Sequence, residues 1–567
     1  MVQSKIGTAI IAFNSTNFMG LNFMIQHHFL TRAIFALSIL ASSTLLTTVS
    51  LTSTQIASAN NTQTSYPFPG RAEDLAPGSY WYFRDIHAGG TKALDLVGVR
   101  FNKGSGKWTS YNKEGVNSSN DSNEDHIIYN TSVRAIADGE VLACWRNAPS
   151  NPRPGESHPG RLSTVKTISR SGNFLVVKMA NENRTVLYAH LKPGTVPASL
   201  CPFNNEFMQN ADKKGSGDYP LESVIPAAQR PKVKQGQIIG RVGNVGASSG
   251  PHLHIDRSDI LGTNDEGVPL PINFHGAWVK NITNLQNDAT KDWEVLDGKE
   301  LVTPKTAILP SYSSGRPELN KAAVSADDFQ FVFNQAIKSG YRPIWIDGYN
   351  VNGKTYYNAI FRPADTTPWV AKHGLTASQY QTEFNQRIQQ GFVPEQVESY
   401  LDGNNIRYSA IFVKKGGPAF KAYHGKTAQE HQKLFDSYTK EGFIPANISV
   451  VSVGGQRYYT TLYEKVNVGS LEARSFLTAS EYQSESDQNK AAGRQLVYLN
   501  AYTHGGGVRF SAIWQSGVSG AFVARHGLSG SEYQAEWNKF TNQDYLTHVV
   551  TGYENGNSAN FAALWRK

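Results

Sequence analysis

Four histidines and one aspartate carry the chemistry this sequence offers. The densest group is Gly250-Pro251-His252-Leu253-His254-Ile255-Asp256. Residues i and i+2 of a strand point to one side, so His252 and His254 are expected to face one site. Upstream, Tyr188-Ala189-His190-Leu191 places a third histidine in a strand-like run. Earlier still, Ala93-Leu94-Asp95-Leu96 supplies a carboxylate, and His87 precedes Asp95 by eight residues. Imidazole nitrogen and carboxylate oxygen are ligands that zinc takes, and a catalytic zinc keeps one coordination position open. Such a metal acidifies water and polarises a carbonyl. Histidines beside it move the proton and hold the developing oxyanion.

Competing chemistries fit less well. Gly246-Ala247-Ser248-Ser249-Gly250 has the Gly-x-Ser-x-Gly spacing of a nucleophile elbow. That device needs a strand, a turn and a helix, whereas Pro-His-Leu-His-Ile follows here as a strand. The glycines of 240–250 lead to no Gly-Lys-Ser/Thr, so they make no phosphate cradle. The net charge is +8. No Lys/Arg block concentrates it, which excludes a nucleic-acid partner and leaves anionic polymers such as acidic cell-wall glycans. His158 reads as an ordinary surface histidine. His373, His424 and His526 each precede a glycine at one repeated position and are expected to be structural.

Around these residues the chain reads as mainly β. Residues 33–51, AIFALSILASSTLLTTVSL, are apolar or small; His27, His28 and Arg32 precede them and Ala57-Ser58-Ala59 follows. This is the pattern of a secretory signal. It begins naturally at Met24, so 1–59 is expected to be an upstream extension plus a signal. No other stretch is long and apolar enough to cross a membrane, and no membrane partner is expected after cleavage. In an exported chain the only two cysteines, Cys144 and Cys201, are expected to pair. Residues 60–78 read as a linker. Residues 79–302 read as one all-β domain: runs such as 132–145, 173–180, 184–191 and 237–243 are rich in Val, Ile, Leu and Tyr between turn signals. Two looser insertions stand at 147–163 and 202–230. Residues 303–323, with Pro304, Pro310 and Pro317, read as a second linker.

The remainder, 324–567, is a repeat. Gly340, Gly391, Gly442 and Gly493 are spaced by 51 residues. Each of five units is expected to open with a capped helix, as at Leu375-Thr376-Ala377-Ser378-Gln379-Tyr380. That helix carries Tyr380, Phe384 and Ile388 on one face and stops at Gly391. Two strands and a third run ending at His-Gly would follow. Read this way, the fifth unit stops at Lys567 without its third run. Either a strand from 303–320 completes it and closes a propeller-like ring, or the units form a linear stack.

The first domain resembles the lysostaphin-type zinc endopeptidases, including the staphylolysin and β-lytic branch. The resemblance rests on Gly250-Pro251-His252-Leu253-His254, on Tyr188-Ala189-His190-Leu191, on Ala137-Asp138-Gly139-Glu140-Val141, and on Val233 to Gly243 with its Gly-Gln-x-Ile-Gly-x-x-Gly pattern. It covers about 85–256 and implies a duplicated-hybrid-motif-like β fold. It implies metal ligands at Asp95 and His254, with His190 and His252 flanking the scissile carbonyl. Four residues before Asp95, where one branch has a histidine, stands Thr91; the staphylolysin branch has it further upstream, which makes His87 the third ligand. The implied activity is hydrolysis of peptide bonds in peptidoglycan cross-links or other Gly-rich peptides. The alternative is a non-catalytic wall- or glycan-binding protein built from an inactive peptidase-like domain. The repeats resemble those beside β-lactamase-like domains in secreted polyglycine hydrolases. Their Tyr408, Arg407, Trp514 and Arg509 either contact glycan or peptide or pack between units.

Overall fold

The computed structural model describes residues 8–9, 65–86, 92–102, 105–162, 167–209, 220–259, 269–282, 293–301 and 303–567. The expected signal at 24–59 lies outside the described residues, as does His87. None of the described helices is long and apolar enough to cross a membrane.

Eight strands of one antiparallel sheet frame the site. They are β1 (Ser79–Ile86), β2 (Leu94–Asn102), β3 (Gly139–Trp145), β4 (Phe174–Met179), β5 (Thr185–Ala189), β6 (Leu253–Ser258), β7 (Ala277–Asn281) and β8 (Thr306–Pro310). Their hydrogen-bonded order is β3-β4-β5-β6-β2-β1-β8-β7. The alternating aromatic and β-branched residues put Trp81, Phe83, Leu96, Tyr188, Leu253 and Ile255 into one core. Apolar burial of this kind contributes roughly 25 cal/mol per Å². Tyr188 keeps its hydroxyl paired inside that core by accepting a hydrogen bond from Ile136 N at 2.8 Å. From β3, Cys144 forms a disulfide with Cys201 at a Cα–Cα distance of 5.7 Å.

Both expected linkers contain structure. Ser65–Pro67 pairs in parallel with Asn273–His275. β8 is buried along its length and bonds to β1 and β7, so 303–310 belongs to the first domain. Hydrophobic Ala-Ile-Leu at 307–309 was enough for a strand; the flanking prolines masked it.

Each repeat is an edge strand, a helix and a hairpin. In the first, Leu319–Ser325 leads into Ala326–Lys338, then Tyr341–Val351 and Lys354–Pro363. The hairpin's second strand lies in the middle of the three-stranded sheet. The helices start where the capping signals stand: Thr376, Thr427, Thr478 and Ser529 each accept from the backbone three residues on, and the Gln or Glu there reaches back. The first helix ends at Lys338 and the second at Gln389, followed by Gly340 and Gly391 at φ 86° and 80°. Only a glycine adopts that left-handed turn without strain.

One expectation is corrected. The run ending at His-Gly pairs with the hairpin that follows it, not the one before: Phe420–Thr427 bonds to Gln456–Glu464. Each unit therefore begins with that run, the fifth unit is complete, and 319–325 serves the first unit rather than the last. His373, His424 and His526 sit at the bulge in this edge strand, and the glycine after each has positive φ. His424 packs on Tyr380 and Tyr408 of the preceding unit, at ring distances of 4.8 and 5.1 Å.

The units form a ring rather than a row. Gln396 holds Ile346, Ser449 holds Ser399 and Asn500 holds Val450. Thr551 holds Ala501, and Asp347 then accepts from Gly552 N at 2.9 Å, which joins the fifth unit to the first. Trp345 Nε1 also donates to Val550 O at 2.7 Å.

Candidate functional site

The site lies where β2, β6 and β5 run side by side. His254 stands directly opposite Asp95 on β2 and opposite Ala189 on β5. Directly opposite residues on one face of an antiparallel pair have their Cβ atoms about 4.5–5.5 Å apart. The outcome is a contact: His254 Nδ1 lies 3.0 Å from Asp95 Oδ1. His190 follows Ala189 at the end of β5, and its ring centre is 5.8 Å from that of His254 and 4.6 Å from that of His252. His252 Nε2 is 3.5 Å from Asp95 Oδ1. The alternation of His252 and His254 thus does put both into one cluster, together with His190 and Asp95. All four are buried. Arg84 on β1 comes within 3.7 Å of the other Asp95 oxygen.

The hydrogen bonds fix which nitrogen of each flanking histidine is free. His190 Nδ1 is 2.8 Å from Val245 O, and His252 Nδ1 is 2.8 Å from Gly250 O. A carbonyl only accepts, so both rings carry their proton on Nδ1 and direct a bare Nε2 lone pair elsewhere. Burial pushes His252 down to about 4, against a smaller opposing pull from Asp95. Burial, and after it the charge of His252, hold His190 well below the ordinary histidine range. Both are neutral at neutral pH and ready to accept a proton.

His190 is held in a left-handed backbone conformation, φ 62°. The cost for a non-glycine residue is of order 1 kcal/mol. Three backbone bonds offset it: His190 N to Ser171 O, Leu191 N to Asn173 O, and Gly243 N to His190 O. The last needs a glycine, since a Cβ at 243 would come within 2.5 Å of Lys192 N and 2.8 Å of His190 O. The Gly-x-x-Gly of 240–243 is therefore the feature that lets this loop lie against His190.

Sequence reasoning missed the support beneath the loop. Asn151 Nδ2 donates to Gly246 O, Ser248 O and Asn244 Oδ1, at 3.2, 3.0 and 3.3 Å. Asn244 donates in turn to Asn123 Oδ1 at 2.8 Å. These three buried asparagines fasten 244–250, the segment that supplies both carbonyls to the histidines. Asn151 lies in a stretch read as a loose insertion, and no periodicity there signals a buried amide.

Among the described residues no group of three His, Cys, Asp or Glu is arranged to hold a metal ion. Asp95 and His254 do supply one carboxylate and one imidazole at a 3.0 Å separation. Two ligand atoms on a tetrahedral zinc, each about 2.1 Å away, stand about 3.4 Å apart, so the pair fits two corners of such a site. His87, the expected third ligand, lies outside the described residues.

Residues 322–364, 366–415, 417–466, 469–517 and 519–567 match the family described as polyglycine hydrolase-like, structural repeat. This part of the chain is built of those repeats, and the matched segments begin at the edge strand, as the sheets do. The chain is also similar to solved structures, three of which follow. The catalytic domain of the antimicrobial peptidase lysostaphin from Staphylococcus simulans matches at 17% identity and TM-score 0.14, over 33% of this chain and 82% of that one. A zinc containing peptidase from Vibrio cholerae matches at 16% and 0.13, over 31% and 48%. A mutant catalytic domain of the prophage-encoded M23 protein EnpA from Enterococcus faecalis matches at 19% and 0.11, over 28% and 84%. No curated protein matches the chain.

Tyr408 and Trp514 are 2% and 1% exposed and pack inside the repeats, so neither is displayed to a glycan. Arg509 lies over the ring of Phe476 at 5.1 Å, and Arg407 pairs with Asp402 at 3.5 Å.

Proposed function

We propose that this chain is an exported zinc endopeptidase that cleaves peptide bonds of bacterial cell-wall cross-links, with Gly-rich peptide as the substrate class. One observation carries the reading: Asp95 and His254 face each other at 3.0 Å, while His190 and His252 stand beside them with Nδ1 tied to carbonyls. Asp95, His254 and His87 would hold the zinc. Bound there, zinc is a Lewis acid that polarises the scissile carbonyl and makes water acidic.

The protein's own groups do the rest. A neutral His190 or His252 takes the proton of the attacking water on Nε2. As an imidazolium it then faces the oxyanion of the tetrahedral adduct and stabilises it. Returning the proton to the departing amine completes the cleavage. The tied Nδ1–H of each ring keeps Nε2 aimed during these transfers, so no rotation is needed between steps. Arg84 offers a cation at the rim. Export is supported by the signal pattern in the sequence and by the disulfide, which persists in oxidising compartments.

The test is release of new amino groups from purified peptidoglycan and from oligoglycine by the full chain with zinc. Release that is abolished by a chelator and by His254→Ala supports the proposal. A wild-type protein that binds zinc yet releases no amino groups from either substrate overturns it. A zinc-free wild type that sediments with cell walls would favour the binding protein instead.

A further inference from the structure

The inner strand of every repeat brings one polar residue to the middle of the ring: Asp347, Glu398, Ser449, Asn500 and Thr551, at the 51-residue spacing. All five are between 0% and 4% exposed. They meet one another. Ser449 Oγ donates to Glu398 Oε1 at 2.6 Å, and Asn500 Nδ2 reaches the same oxygen at 3.3 Å from two repeats away. The Thr551 hydroxyl accepts from Ala501 N at 3.1 Å and lies near enough to act on the Asp347 carboxyl. Asp347 Oδ2 also accepts from Gly552 N at 2.9 Å and from Asn358 Nδ2 at 2.8 Å. Glu398, Ser449 and Asn500 form one hydrogen-bonded group, and Glu398 feels the charge of Asp347.

Two features of this cluster do not close. Among the described residues, Glu398 Oε2 has no hydrogen-bond partner, although the residue is fully buried. Nor, among the described residues, does any Lys or Arg figure among the groups acting on either carboxyl. A buried carboxylate without a counter-charge is costly, and two together more so. Something must neutralise them: protons, or a cation. The donors are all oxygen, a set that suits hard cations and not the softer metals that prefer nitrogen and sulfur. Carboxylates and hydroxyls drawn from separate repeats match the irregular, many-oxygen shell that calcium accepts.

We propose that the centre of the repeat ring binds one hard divalent cation of the calcium class, held by Asp347 and Glu398 with the hydroxyl oxygens of Ser449 and Thr551. The orphaned Glu398 Oε2 is then a ligand, and Asn500 orients the carboxylate through Oε1. The ion would tie the first, second, third and fifth repeats to one point. This site is separate from the zinc reading and does not depend on it.

The experiment uses the full chain, stripped with EGTA and titrated with calcium chloride by calorimetry while thermal unfolding is followed. One calcium per chain is expected, with a Tm that rises as calcium is added. Glu398→Gln is expected to lose the calcium and the Tm rise, and His254→Ala to keep both. Absence of calcium uptake by the wild type, or equal uptake by Glu398→Gln, overturns the proposal. So does a calcium-free wild type whose Glu398→Gln variant unfolds at a higher temperature, since the pair then shares a proton. Should Glu398→Gln fail to fold, the wild type refolded in excess calcium and desalted decides by elemental analysis. One retained calcium per chain supports the site, and none refutes it.

Discussion

His190 shows how much of the cluster depends on residues outside it. Its left-handed backbone is stable because Gly243 lies against its carbonyl, Ser171 O takes its own amide and Asn173 O takes that of Leu191. Adding one methyl group at 243 would push that contact apart. Gly243→Ala is therefore expected to lower kcat/KM on oligoglycine by about a hundredfold, the usual cost of misplacing a catalytic group by about 1 Å. Asn151→Ala should act in the same direction by freeing the loop that carries the carbonyls of Val245 and Gly250, while zinc content stays unchanged. Steady-state kinetics with a parallel zinc assay checks both. A residue-scale pH effect belongs to His431. It is buried, its Nδ1 is 2.7 Å from Tyr423 Oη, and burial pushes it down to about 4, helped by the charge of Arg457. Its folded pKa lies below its unfolded value near 6.5, so the unfolded state binds the extra proton. Stability is expected to be full above about pH 6.5 and to fall as pH drops toward 4. Thermal melts of His431→Gln should show a shallower loss over that window. That His252 and His254 share one cluster was legible in the sequence because period-two alternation is a local consequence of strand geometry. The asparagine support was not, because an amide buried in an irregular loop leaves no pattern.

Elements were legible in proportion to how local their signals are. Thr376 with Gln379 announced a helix start correctly, since a capping box closes within four residues. Strand partners were harder: the run 420–427 could bond to the hairpin on either side, and only the structure shows that it joins the later one. The same ambiguity concealed β8 in a proline-flanked stretch. At this scale the caps predict a modest effect. Thr427→Ala should destabilise its helix by about 1 kcal/mol, measured by chemical denaturation. The disulfide predicts a larger one. It spans 57 residues between Cys144 and Cys201. A loop of that size contributes about 4 kcal/mol in the chain-entropy account. Cys201→Ser should lower the Tm of the first domain markedly and leave the unfolding of the repeats in place, as calorimetry would resolve.

The whole molecule joins a β domain to a closed set of repeats, and one carboxylate fastens the closure. Glu318 stands just before the first edge strand. It pairs with Arg362 of the first repeat, accepts from Thr547 N at 2.9 Å and accepts from Trp537 Nε1 at 2.9 Å in the fifth. Glu318→Ala strips a buried charged partner from three groups at once, and removal of such a partner costs about 3–5 kcal/mol. The repeats should then unfold at lower temperature, with zinc content untouched. Spacing alone revealed the repeats, but it left ring and stack open because both satisfy the same local pattern. Contacts between the first and last units decide between them. The proposed activity rests on a metal that Asp95, His254 and His87 would hold, and counting zinc per chain tests that most directly. Elemental analysis of the purified full chain should find one zinc in the wild type and a large loss in both His87→Ala and His254→Ala. A wild type without zinc, or a His87→Ala protein that keeps it fully, would contradict the three-ligand site.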